Sequence, residues 1–126
     1  GILYQDKGDY KKSEEYLEKA LSIQKEIGLS ADDLIWPTTY LYLTYKYFGK
    51  DYEAKDIQAL IRDAEYIEYK VNLRLYELLE DNTYLETAYK QVQKKVSAMD
   101  EDLKAKFLGY LIPKAIVEEY NKVFKK

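Results

Sequence analysis

Apolar residues recur along the chain at steps of three and four, the spacing that puts them on one face of an α-helix. The first clear run is Tyr10, Tyr16, Leu17, Ala20, Leu21 and Ile27, with Ile23 less regularly placed, and it predicts a helix from Tyr10 to Ile27. Asp9 stands where its carboxylate can accept from the first free amides, and Gly28 follows as a natural stop. Upstream, Ile2 to Lys7 reads as the end of an earlier helix, closed at Gly8.

Pro37 suits a first helical turn and not an interior, so the next helix is expected to start near Trp36. The run from Thr38 to Phe48 is rich in Thr and Tyr and partly alternates, as a strand would. No other segment offers it a strand partner, and a lone strand is unstable, so it reads as a helix ending at Gly49. Asp56 is placed to cap a short helix carrying Ile57, Leu60, Ile61 and Ala64. A longer helix follows from about Tyr66 to Leu79, with Val71, Leu75, Leu78 and Leu79 on one stripe. Asp81-Asn82-Thr83 is a turn and cap signal ahead of a helix from Tyr84 to Ala98. Asp100 caps a helix through Phe107 and Leu108 that breaks at Gly109, and Pro113 sits at the first position of a final helix bearing Ile116, Val117, Tyr120 and Phe124. With every element helical and connections short, neighbouring helices should run antiparallel as stacked hairpins.

Composition narrows the functions open to such a stack. At 126 residues the chain fits one domain, and a hydrophobic fraction of 47% suffices for a core. The net charge of −3 opposes a sequence-independent nucleic-acid binder, which needs a dense cationic face. A helix-turn-helix is geometrically open around Asp56 and Asp100, but no basic recognition helix accompanies it. No run approaches the length of a membrane span and no signal-peptide pattern is present, which fits a cytoplasmic protein. The chain has neither Cys nor His, which removes disulfides, thiol nucleophiles, zinc fingers and imidazole acid–base chemistry.

The adjacent carboxylates Glu14-Glu15, Asp32-Asp33 and Glu118-Glu119 point about 100° apart on a helix and do not converge as an acid–base pair. The five glycines form no phosphate-cradling loop, and Ser13, Ser22, Ser30 and Ser97 have no His to activate them. No catalysis, cofactor or metal is expected. Tyrosine is in excess, at 15 residues against 3 Phe. Tyr packs its ring while its hydroxyl stays wet, so the excess fits either a thin stack with many half-buried positions or a Tyr-rich binding face.

A repeat is visible in the turns. Gly8-Asp9-Tyr10, Lys50-Asp51-Tyr52 and Asp81 to Ala88 open similar segments, with Tyr10, Tyr52 and Leu85 spaced by 42 and 33 residues. In the first, Gly1, Tyr4, Leu17 and Ala20 occupy small, aromatic, large and small positions, and Ser13 stands where Ala is usual. The second has Lys55 at a small position. The third has Tyr76 at one, with Ala88 well placed. This pattern resembles the tetratricopeptide (TPR) repeat, whose standard period is about 34 residues. The segments Tyr84 to Tyr89, Asp102 to Leu108 and Ile112 to Tyr120 resemble the helices that close TPR arrays in large bacterial signalling proteins. Some of those proteins carry cyclase, kinase or protease-like domains elsewhere.

The resemblance implies an all-α fold: antiparallel hairpins in a short right-handed superhelix with C-terminal capping helices. It implies a single domain over 1–126, cut from a longer array. Residues 1–28 would form a partial first repeat, 30–64 and 66–98 degenerate second and third repeats, and 100–126 the cap. It also implies a non-catalytic scaffold for protein–protein interaction within a larger signalling protein. Its concave groove would take a peptide or partner domain through Tyr40, Thr44, Tyr47 and Phe48, and through Lys70, Leu73, Glu77 and Glu80. Tyr40, Tyr47 and Phe48 could equally pack against neighbouring helices. Lys46, Lys70, Asn72 and Arg74 are too dispersed for a carboxylate clamp. The alternative is a homodimerisation element, pairing through the N-terminal face of Leu3, Tyr4 and the helix Tyr10 to Ile27, or an intramolecular regulatory module. No nucleic-acid or membrane partner is expected.

Overall fold

The computed structural model describes residues 7–28 and 30–125, leaving aside the side chains of residues 7–11, 13, 14, 20 and 21. Among the described residues there are seven α-helices and no strand. They are α1 (Lys7–Glu26), α2 (Ala31–Tyr47), α3 (Ala54–Asp63), α4 (Tyr69–Leu79), α5 (Asn82–Val96), α6 (Glu101–Gly109) and α7 (Leu111–Phe124). The chain divides into two compact units, up to Ile67 and from Glu68.

In the first unit α1 packs on α2 and α2 on α3. Leu17 and Leu41 are buried together, with Leu34, Tyr40, Tyr42 and Tyr45 packed around them. Leu17 lies ten residues before the α1–α2 turn and Leu41 a similar distance after it, so the two helices form an antiparallel hairpin. Gly28 and Gly49 close α1 and α2 at φ +74° and +70°, where an L side chain is strained.

The second unit centres on Tyr69, Leu73, Leu85, Ala88, Val92, Val96, Phe107 and Ile116, drawn from α4, α5, α6 and α7. Its caps are those the sequence signals. The Asp81 carboxylate accepts from the Thr83 amide at 3.0 Å and from its hydroxyl at 2.8 Å, which holds the Asp81 carboxyl below its usual range. Asp100 accepts from the Leu103 amide at 2.8 Å.

Several boundaries differ from expectation. The helix α1 runs through Gly8 and Asp9, so neither a break nor a cap stands there. The predicted upstream helix end lies outside the described residues, apart from Lys7. The start of α2 is Ala31 with Ser30 before it, so Pro37 lies inside the helix. Its missing N–H leaves the Asp33 carbonyl without its helical donor, and Asp33 is exposed, so water can serve that carbonyl. Asp56 lies in the first turn of α3 and does not cap it; its carboxylate accepts from the Tyr42 hydroxyl at 3.1 Å. The fourth helix begins at Tyr69, after a non-helical stretch that holds Tyr66. Pro113 falls at the third position of α7, still within the first turn.

Candidate functional site

Two buried threonines in the middle of α2 bond back onto their own helix. Thr39 and Thr44 donate back to the carbonyls of Ile35 and Tyr40 at 2.6 and 2.9 Å, which lets hydroxyls enter buried positions of a helix. On this rod Trp36, Tyr40 and Tyr47 follow at steps of four and seven, so they share one stripe. Trp36 meets the Tyr40 ring edge-on, centroids 5.7 Å apart and planes at 80°. The Trp36 and Tyr47 residues stand 48% and 58% exposed, while Tyr40 is half-buried.

A second aromatic group braces the side of α2 toward α3. Tyr42 stacks between Tyr45 and Tyr52, with centroids at 5.9 and 5.3 Å. The Tyr45 hydroxyl donates to Glu18 on α1, and the Lys50 ammonium lies 4.9 Å from the Tyr45 ring centre. Burial, the hydrogen bond to Asp56 and the charges of Asp56 and Glu53 push the Tyr42 phenol up to about 12.

The eight residues expected to line a groove fare differently. Tyr40 and Tyr47 share the α2 stripe, and Phe48 is half-buried at the C-cap of that helix. Thr44 is buried with its hydroxyl turned onto its own helix, so it has no surface to offer. On α4, Lys70 is exposed and Glu77 half-buried, and Glu80 at the C-cap of that helix is exposed. Leu73 is a core residue of the second unit, which removes it from any surface. The Glu77 carboxylate takes a 2.6 Å ion pair with Arg74, whose side chain is 7% exposed. Asn72 is buried and donates to Gln91 at 2.9 Å. Asn72 and Arg74 thus have internal partners.

Trp36 shares the stripe but was not among the residues expected to line a groove. Placing the helix start near Trp36 made that residue a boundary marker rather than a side chain on a stripe with Tyr40. The signal was the step of four between them.

Among the described residues no group of three or more carboxylates is placed to hold a metal ion, and no helix is long and apolar enough to cross a membrane. Compared with family models, with curated proteins and with solved structures, the chain matches none of them.

Proposed function

We propose that this chain is a non-catalytic protein–protein interaction scaffold, built of TPR-like helical hairpins, that takes a peptide or partner domain on the aromatic stripe of α2. The observation that carries this reading is the exposed indole of Trp36 beside Tyr40, on the same stripe as the exposed Tyr47. Large aromatic side chains left at a surface bind strongly because they release much apolar area at little rotamer cost, and Trp and Tyr dominate binding hot spots. The stripe stands on a helix whose other positions are largely buried, so it is preorganised and little ordering entropy is lost on binding. The succession of hairpins supports the repeat assignment: α2 and α3 stand where the second repeat would lie, and α4 and α5 where the third would.

The test is panning of a displayed peptide library against the purified chain, followed by fluorescence anisotropy of the enriched peptides. Trp36→Ala and Tyr47→Ala should each weaken binding about tenfold or more, as hot-spot truncations do. Circular dichroism should stay unchanged, because both side chains are exposed. Failure to enrich any peptide, or equal affinity of the double variant, would rule the stripe out.

A further inference from the structure

The outer helix α1 carries a second apolar stripe, independent of the one on α2. Tyr16, Ile23 and Ile27 follow at steps of seven and four and are 70%, 50% and 67% exposed. The side of α1 facing α2 is marked by Leu17, about 100° round the helix from Tyr16 and buried against Leu41. The exposed stripe therefore lies about a quarter-turn round from the face that packs on α2, on a helix of 20 residues, about 30 Å long.

The charges flanking the stripe choose its occupant. The described exposed charges of α1 include Lys12, Lys19 and Lys25 against Glu15, Glu18 and Glu26. A balanced rim gives no attraction to an anionic membrane surface, which needs a basic polar face. The steps of seven and four suit a helix–helix seam, with Tyr16 and Ile23 at equivalent positions one heptad apart. Lys19 and Glu26 occupy the same flank, also one heptad apart, with opposite charge.

We infer that α1 is a homodimerisation helix, pairing antiparallel with α1 of a second copy about a two-fold axis between residues 21 and 22. In that register Tyr16 of one copy faces Ile27 of the other. Glu26 of the second copy stands opposite residue 17, two positions from Lys19, or about 3 Å along the axis. Lys19 and Glu26 thus form an ion pair across the seam, and the symmetry repeats it, as an isologous interface requires. A parallel pairing would instead set Lys19 against Gln24 and Lys12 against Leu17, with no charge partner for either lysine. The dimer would present two copies of the α2 stripe, making a bivalent scaffold whose avidity exceeds that of one copy.

The experiment is analytical ultracentrifugation of the 126-residue chain from about 1 μM to about 1 mM, a range that spans weak to moderate association. The mass should rise from 15.0 kDa toward twice that value. Ile23→Glu should hold it at the monomer with unchanged helicity, since Ile23 is half exposed. Lys19→Glu and Glu26→Lys should each weaken association about fivefold, because each breaks two ion pairs. The double variant with both changes should recover the wild-type constant.

A wild-type chain that stays monomeric throughout overturns the inference, and one that is monomeric but sediments with lipid vesicles reassigns the stripe to a membrane. Dimerisation of Ile23→Glu at wild-type strength, or a double variant as weak as the single ones, also overturns it. Peptide binding through Trp36 is read separately and survives any of these outcomes.

Discussion

Tyr89 and Tyr120 lie ring on ring, centroids 3.7 Å apart and planes 5° from parallel. They tie α5 to α7, and Tyr120 continues the stack onto Phe124 at 4.8 Å. Two phenol rings face to face oppose their quadrupoles, so the pair forgoes the better offset geometry. The Lys125 ammonium lies 6.0 Å from both Tyr centroids, which for rings so close together sets it beside the stack and over neither face. Tyr120→Leu and Tyr89→Leu, combined in a double-mutant cycle by urea denaturation, should couple by about 0.5–1 kcal/mol. Adding Lys125→Met to the cycle should leave that coupling unchanged, with ring packing as its source; a coupling that falls with the lysine would mean that the ammonium bears on a ring face.

Neighbouring threonines on α2 should respond oppositely to the same change. The Thr38 hydroxyl is buried with no hydrogen-bond partner among the described residues, while Thr39 donates to Ile35 at 2.6 Å. Valine has almost the same shape as threonine. Thr38→Val therefore removes an unsatisfied polar group and should stabilise the chain by about 1 kcal/mol. Thr39→Val loses a made bond and should cost about 0.5–1 kcal/mol, less than a lone buried group because the Ile35 carbonyl keeps its helical donor. Thermal unfolding of the two variants side by side reads the difference in sign.

The features legible in the sequence were those with a local cause. Asp81 and Asp100 cap because a short carboxylate before an amphipathic run reaches the first free amides whatever the rest of the chain does. Gly28 and Gly49 stop helices because the turns there need positive φ. Gly8 lacks any such demand and is simply passed through. Pro37 misled for a similar reason. The rule against an interior proline assumes that the orphaned carbonyl is costly, and an exposed Asp33 makes it cheap. The candidate site was half legible. Steps of three and four group Lys70, Leu73, Glu77 and Glu80, but periodicity does not say how far a stripe dips into a core, and Leu73 is buried while Lys70 is not. The same limit applied to Thr44 beside Tyr40 and Tyr47. Exposure depends on which helix comes to lie against which, and that is not written within one helix.

Tyr42 gives the fold an alkaline signature. Its phenol is pushed from 10.0 to about 12 by burial, by its bond to Asp56 and by nearby carboxylates. Between those values the unfolded chain releases the proton and the folded chain keeps it. The contribution is therefore complete below pH 10, falls as pH rises from 10 to 12, and levels off above. Tyr42→Phe deletes the titration. The difference in urea stability between wild type and Tyr42→Phe, measured from pH 9 to 12, should fall across that window. A constant difference would mean that neither burial nor Asp56 raises the phenol in the folded chain.

Glu80 closes α4 in the left-handed region, at φ 54° and ψ 40°, with its amide donating to the Tyr76 carbonyl at 2.9 Å. Among the described residues it is the only one other than glycine with positive φ. The Cβ of an L residue costs about 1–2 kcal/mol there. Glycine removes that strain and gives back part of the gain through its freer unfolded chain, so Glu80→Gly should stabilise by about 0.5–1 kcal/mol. Glu80→Val should destabilise by about 1 kcal/mol, since a β-branched side chain tolerates positive φ least. Both follow from chemical denaturation. The glycine variant also removes an exposed carboxylate that the repeat resemblance assigned to a groove. Peptide affinity measured on the same sample then separates the two demands on this position: a gain in stability with unchanged affinity makes Glu80 a strained helix end and nothing more, and a gain in stability with weakened affinity makes the strain the cost of a binding residue.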